Sequence, residues 1–416
     1  MTRRNGPVPL LLLLEDLEFG GTQRQALELA SRLDKTRFAP LLVTLRAGSG
    51  DLLPEAATRG ISVLSLTDSA DFAVIRALPA LWRYLSRERP PLVQLMTVLP
   101  NIWGRIFARM LRLPAVIACC RGQAAVEGQH ERLLHKLADI HIGNALSICR
   151  TLQRAVRIPE HKVVYIPNGV DADFFRPPEA LPGKPSTPER REEDAPAGDA
   201  YALRPPDASA EEPSVPEGNG EHAPAADACG PFRAKPACVL CVARLVPAKN
   251  HALLLEAFAR VLRDRPDAEL HLVGDGSCRE AIFRQSRTPP LCGKVFLHGN
   301  SRKVRTWLHK ARLFVLASDH EGTPNAVLEA MSCALPVLAT NVGGNAEAVL
   351  HERTGLLTPA GDAAALADGM LRLLNDAGDR LRFGRAGRQR VLESYSLRTM
   401  VEKHEEVYER VLRGRA

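Results

Sequence analysis

This 416-residue sequence predicts an α/β protein: two Rossmann-like, doubly wound domains facing a cleft, with a disordered insertion between them. Three observations carry the prediction. Short apolar runs alternate with longer helical patterns in both halves of the chain, which is the pattern of parallel sheets covered by helices. Apolar residues make up 45% of the chain and aromatics only 5%, so large cores can form but must be built mostly of Leu, Val and Ala. Between residues 177 and 231 the composition breaks sharply.

In the first half "VPLLLLL" reads as a buried first strand, followed by a helix from about Gln23 to Leu33. Then come the runs "APLLVTL", "ISVLSL", "LVQLM" and "AVIACC". Between them lie helices near Leu52–Arg59, up to Arg87, and at Ile102–Leu111. The second half repeats the scheme with "ACVLCVA", "AELHLVG", "KVFLHG", "LFVLAS" and "PVLAT". Two terminal helices, Asp379–Leu392 and Leu397–Leu412, have no strand after them. They either cap the second domain or cross back onto the first. The expected division is residues 1–176 for the first domain, 177–231 for the insertion and 232–396 for the second domain, with 397–416 a candidate to rejoin the first. In sheets of this kind ligands bind at the carboxyl ends of the strands.

Residues 177–231 hold 12 prolines, 12 acids and four Lys or Arg. Such a segment cannot bury enough apolar surface to offset its chain entropy. The whole chain has a formal charge of +7, and the part outside the segment carries about +15. That balance favours an anionic partner: a phosphorylated ligand, a membrane surface or nucleic acid. Few aromatics and no recognisable recognition module argue against nucleic acid. The nine cysteines show no disulfide framework, which suits a reducing cytoplasm. Cys238 and Cys241 form a C-x-x-C, but on a strand they point to opposite faces, which disfavours a zinc site. The basic, then apolar, start imitates a signal peptide, yet Glu15, Asp16 and Glu18 follow the run. No stretch reaches the roughly 20 apolar residues that a spanning helix needs.

Several strand-end loops carry chemistry. Gly20-Gly21 follows the first strand, and Thr22-x-x-Gln25 has the pattern of a capping box at a helix start. A glycine loop at a helix N-terminus lets backbone amides approach an anion; a tight, well-capped turn explains the same residues. G-x-G-x-x-G is absent, against a dinucleotide fingerprint. Arg244 and Lys249 lie in a strand-to-helix loop, where Arg can fork onto phosphate oxygens and Lys adds a point charge. "LVGDG" and "FLHGN" end the next strands with glycines where backbone would meet a ligand. "EGTPNAVLEAM" places Pro324 at the first helical position with Thr323 as N-cap. Glu321 is then a loop residue and Glu329 a helix residue, sharing a narrow polar stripe with Asn325 and Ser332. The stripe is either solvated or faces a ligand. "NVGGNAEAV" adds Gly343-Gly344 and Glu347 after a further strand.

Taken in order, "ARLVPAKNH", "LVGDG", "FLHGN", "EGTPNAVLEAMSCALPVLAT" with its E-x7-E spacing, and "VGGNAEAV…TGLLTP" resemble the donor-binding domain of retaining GT-B glycosyltransferases of family 4. "GGTQRQALELASRL", "IGNALSICRTL" and "IPNGVD" extend a weaker resemblance into the first half. The resemblance implies a GT-B architecture and sugar transfer from a nucleotide sugar to a glycan or lipid-linked acceptor, without metal or other cofactor. The expected setting is envelope polysaccharide or glycolipid synthesis at the cytoplasmic face. It also implies roles. Arg244 and Lys249 would bind the donor diphosphate, and Glu321 the donor sugar. Glu329 would hold the ribose hydroxyls. The backbone of Gly322, Thr323, Pro324 and Asn325 would meet sugar and phosphates. His298 and Gly299 would line the base, and Gly20 and Gly21 would approach the phosphates from the first domain. Relatives often carry a histidine where this chain has "ACCRGQ", so no catalytic histidine is assigned. A nucleotide-sugar epimerase of the same fold and a non-catalytic sugar-nucleotide binder are the alternatives. In "NIWGRIFARMLRLP", Arg105, Arg109 and Arg112 oppose an apolar face. This is either an ordinary core helix or one that lies on anionic lipid.

Overall fold

The computed structural model describes residues 6–68, 74–121, 129–178 and 237–414. All but the first two residues of the predicted insertion lie outside them. The first lobe runs β1 (Val8–Leu14), α1 (Gly21–Arg32), β2 (Phe38–Thr44), α2 (Leu53–Thr58), β3 (Val63–Ser65), α3 (Leu78–Glu88) and β4 (Leu92–Leu95). It continues with α4 (Arg105–Met110), β5 (Ala115–Cys120), α5 (Gln129–Leu134), β6 (Ile140–Gly143), α6 (Leu146–Arg154) and β7 (Val163–Tyr165). The second lobe has β8 (Cys238–Val242), α7 (His251–Asp264), β9 (Glu269–Val273), α8 (Arg279–Ser286), β10 (Val295–Leu297), α9 (Val304–Lys310) and β11 (Leu313–Leu316). After these come α10 (Asn325–Ser332), β12 (Val337–Thr340), α11 (Gly343–Ala348), β13 (Leu356–Thr358), α12 (Ala363–Asn375) and α13 (Ala377–Ser394). The last helix is α14 (Leu397–Arg413).

Each lobe holds one sheet whose paired strands are all parallel. The orders are β3-β2-β1-β4-β5-β6-β7 and β10-β9-β8-β11-β12-β13. Strands β4, β5, β11 and β12 are buried along their whole length, as strands covered on both faces must be. In each sheet the strand order reverses beside the first strand, between β1 and β4 and between β8 and β11. Those are the switch points where a crevice opens at the carboxyl ends. The strand-end loops after β1, β8 and β11 carry the glycine, cation and acid motifs.

Helix α14 settles the question its sequence left open. It leaves the second lobe and packs on the first sheet, with Met400, Val401, Val407 and Tyr408 in one core with Leu12, Phe38 and Leu92. The Tyr408 hydroxyl donates to Gln94 on β4 at 2.5 Å. Arg37, beside β2, pairs with Glu405 and Glu409 of α14. At the crossing, Val170 N donates to Tyr395 O at 2.9 Å.

Two local expectations differ from the structure. Helix α1 has no capping box: Gly20 is its N-cap, with no side-chain bond. Gln25 is buried and bridges to Gly169, donating to its carbonyl at 2.8 Å and accepting from its amide at 3.0 Å. A tertiary partner outcompetes the local one because both Gln25 groups are satisfied at once. In the second case Arg105 does not face outward with Arg109 and Arg112. A π-helical turn at Pro100–Gly104 precedes α4, and Arg105 is fully buried. It forms a bidentate pair with Glu131 at 2.9 and 2.7 Å. Burial of such a charge is tolerable only with that partner.

Candidate functional site

Arg244 and Lys249 flank the loop that leaves β8 at its switch point. Arg244 is exposed and, among the described residues, its side chain makes no hydrogen bond or ion pair. Lys249 differs. Its Nζ donates to Glu321, whose carboxylate also accepts from Ser318 Oγ at 2.7 Å. Glu321 is 8% exposed, so its charge is compensated from two sides. Asp319 steadies the loop by accepting from Asn250 Nδ2 at 2.8 Å, while its own amide donates to Ala248 O at 3.0 Å.

The glycines of "LVGDG" pack against backbone on the side a Cβ would take. A Cβ on Gly274 (φ 141°) would stand 2.0 Å from Ala243 O, and one on Gly276 would stand 2.5 Å from Leu245 O. These glycines let the end of β9 lie against the Arg244 loop. Gly344 does the same for the Glu321–Asn325 loop, where a Cβ would meet Gly322 O at 2.0 Å.

Helix α10 starts one residue later than its sequence suggests. Pro324 (φ −82°, ψ 100°) is the N-cap, and no side chain caps the helix. Thr323 is engaged elsewhere: its hydroxyl donates across the cleft to Asn144 O. Asn168 of the first lobe donates to Thr323 O at 3.2 Å and to Asn325 Oδ1 at 2.7 Å, and accepts from Arg121 at 3.0 Å. Neither Asn144 nor Asn168 stands out by composition. The signal was present, since "IGN" and "IPN" lie at the carboxyl ends of β6 and β7 of the first lobe, at the mouth of the same cleft. Glu347 on α11 also crosses the cleft, accepting from the amides of Leu146 and Ser147 at 2.7 and 2.9 Å.

Three cavities follow one another along the cleft. The central one, about 730 Å³, is lined by Gly21, Arg121, Arg244, Lys249, Glu321 and the run Gly322–Ala326. It shares Arg244, Arg121 and Gly21 with a cavity of about 410 Å³ in the first lobe. That second cavity has an acidic wall of Glu15, Asp16 and Glu18 and also carries His130. Glu15 is pushed above the usual carboxylate range, first by burial and then by Asp16. His130 is held below the usual imidazole range by burial, so it is neutral near pH 7. On the other side Asn325 is shared with a third cavity, of about 320 Å³, where Glu329 lies beside Arg24, Phe19, Phe174 and Arg302. Glu329 is 6% exposed, so its polar stripe is not solvated. Arg24 Nη1 bonds its Oε1 at 3.0 Å. Burial raises the Glu329 carboxyl, and Arg24 opposes the rise.

The structure thus gathers Arg244, Lys249, Glu321, Gly21 and residues 322–325 on one cavity and Glu329 on the next, while Gly20 lines the first-lobe cavity. His298 and Gly299 line none of the three. The His298 ring stacks on His271 at 5.2 Å and lies tilted against Trp307 at 4.1 Å, its Nε2 is 3.0 Å from His271 Nδ1, and Gly299 O accepts from Gly274 N at 2.8 Å. Among the described residues one group has metal-ligand character: Cys120, Glu131 and His141 have ligand atoms within 4.8 Å of one another. The Arg105 guanidinium already occupies the Glu131 carboxylate there, and a second cation would meet its charge.

Comparison with known proteins places this geometry. The family model for "Glycosyltransferase Family 4" matches residues 19–174, and that for "Glycosyl transferases group 1" matches residues 236–376. Together they cover both lobes, and the chain belongs to the GT-B glycosyltransferases of the family-4 type. It is 32% identical over 160 residues to N-acetyl-alpha-D-glucosaminyl L-malate synthase of Bacillus anthracis, covering 38% of this chain and 42% of that protein. It is 23% identical over 402 residues to UDP-Gal:alpha-D-GlcNAc-diphosphoundecaprenol alpha-1,3-galactosyltransferase of Escherichia coli, covering 93% of each. Among the first-ranking curated relatives the match spans less than half of their length. The fold is shared with Anabaena Alr3699/HepE, solved with UDP and glucose, at a TM-score of 0.74 and 16% identity over 96% of this chain and 99% of that one. No helix of the described residues is long and apolar enough to cross a membrane.

Proposed function

We propose that this chain transfers a sugar from a nucleotide-sugar donor to a hydroxyl of a glycan or lipid-linked acceptor, with retention of configuration. One observation carries the reading: Arg244, whose side chain has no partner among the described residues, and a Lys249 held by Glu321 converge on the central cavity, at a switch point where donor phosphates would lie. A leaving nucleoside diphosphate gains negative charge in the transition state. Cations already fixed in place stabilise it without reorganisation. In this reading Arg244 and Lys249 take the diphosphate, and the backbone of Gly322–Asn325 and Gly20–Gly21 surrounds it. Glu321 orients Lys249 and contacts the donor sugar, and Glu329 takes the ribose hydroxyls. His298 and Gly299 border the base side.

Solved structures of this fold that hold UDP or UDP-glucose support the donor assignment, and relatives named as sugar transferases support the reaction. The first-lobe cavity favours transfer over epimerisation, because it offers room beside the donor phosphates for an acceptor. Cell-envelope glycan or glycolipid synthesis is the setting that fits the named relatives. On the first lobe Arg109, Arg112 and Met110 (65% exposed) are turned to solvent, and so is Leu133 on α5 (76% exposed). This basic, partly apolar face would rest on anionic lipid at the cytoplasmic surface. Flotation with anionic liposomes at low salt checks that, and a protein left at the bottom of the gradient refutes it.

The donor assignment is tested by thermal shift against UDP, GDP, ADP and their sugars. At least one should raise Tm by several degrees, and Arg244→Ala should abolish the shift. No shift with any of them would refute the assignment.

A further inference from the structure

Glu329 and Arg24 come from opposite lobes. Glu329 is on α10 of the second lobe and Arg24 on α1 of the first, 305 residues apart in sequence. Their 3.0 Å contact lies on the wall of the 320 Å³ cavity, with Arg24 side chain 32% exposed. Glu329 Oε2 makes no hydrogen bond among the described residues, so one oxygen of the carboxylate is held and the other faces the cavity.

We propose that Arg24 is a donor-positioning residue supplied by the first lobe: it holds one oxygen of Glu329 and leaves the other for the ribose hydroxyls, so the ribose clamp is complete only when the lobes meet. The proposal rests on the donor-site reading above. Its physical basis is charge. Burial drives Glu329 toward its neutral form, and a neutral carboxyl is a weaker acceptor for two hydroxyls. Glu28, one turn after Arg24 on α1, pushes the same way, although Arg32 and Arg59 pair with it. On α13, Arg388 is committed to Ser332 O. Across the cavity stand Arg302 and Asp171. Cys333, at the end of α10, is pushed up to about 12 and stays neutral. Arg24 is therefore the cation in contact with the carboxylate, and it arrives only with the first lobe.

The test compares wild type, Arg24→Ala, Arg24→Lys and Glu329→Gln. The probe is whichever of UDP, GDP and ADP stabilises the wild type most, with its 2′-deoxy analogue. Arg24→Ala should weaken the ribonucleotide by about tenfold or more, the scale of a charge-assisted hydrogen bond. The 2′-deoxy analogue should weaken much less, and Arg24→Lys should restore part of the loss. Relative to wild type, the Arg24→Ala affinity should also fall more steeply as pH is lowered, because burial raises the Glu329 carboxyl and Arg24 no longer opposes the rise. Glu329→Gln should remove that difference. Equal weakening of both nucleotides, or none, would overturn the proposal while leaving the donor site intact. Failure of all three nucleotides to bind wild type would overturn the donor site and this proposal together.

Discussion

Arg244 and Lys249 stand on one loop, yet their surroundings set different expectations. Among the described residues the Arg244 side chain has no partner to lose, so Arg244→Ala should leave Tm within about a degree of wild type, as surface changes away from special features do. Turnover should still fall by about 10². Lys249→Ala instead strands the buried Glu321 carboxylate, so both Tm and turnover should fall. Adding Glu321→Gln to Lys249→Ala should recover Tm but not turnover. Steady-state kinetics and calorimetry on the four proteins separate the roles. Both cations were legible in the sequence as loop residues after a strand. Their difference was not, because it depends on an acid 72 positions away. Arg24 is illegible for the same reason: nothing in "GGTQRQ" marks it as the partner of an acid 305 positions away.

Local rules predicted the helices well and their ends less well. The predicted Gln23–Leu33 is Gly21–Arg32, and the predicted Leu397–Leu412 is Leu397–Arg413. The ends moved where a residue expected to cap had a distant partner instead, as Gln25 has in Gly169 of its own lobe and Thr323 in Asn144 of the other lobe. Helix α6 shows the same economy. Its N-cap residue, Ala145, has no capping side chain, and Glu347 of the other lobe accepts from its first two amides. Glu347→Ala should therefore act as loss of an N-cap, destabilising by about 1 kcal/mol, with Glu347→Gln less damaging. Urea midpoints at constant m measure it, and an unchanged midpoint would contradict the capping role.

Across the whole molecule, three buried histidines tie stability to pH. Burial holds His141, His251 and His404 down to about 4 against an ordinary 6.5. Between those values the unfolded chain binds protons that the folded chain does not. Stability should therefore fall as pH drops from 6.5 toward 4. Arg105 lowers the Glu131 carboxyl against its desolvation, so Glu131 changes stability in the same direction. Unfolding midpoints at pH 7.5, 6 and 5 should show the decline, and His404→Gln should make it shallower. A second expectation at this scale concerns residues 177–231. Their composition cannot support a core, so replacing them with a short flexible linker should preserve Tm and nucleotide binding. Failure of that protein to fold would show that the segment contributes structure.

The repeated βα units, hence two parallel sheets, were readable from the amino-acid order alone, as was the placing of the glycine, cation and acid motifs in loops at strand ends. These follow from local periodicity, which a chain carries wherever it folds. The sequence also carried the order of motifs that marks the family. Only the tertiary structure decided which charges are paired. Arg105 turned inward because Glu131 lies across from it, α14 crossed to the first lobe because Phe38 and Gln94 receive Tyr408, and Glu329 met Arg24 across the cleft. The reason is the same in each case. A buried charge or hydroxyl is stable only with a partner, and here the partners come from distant parts of the chain.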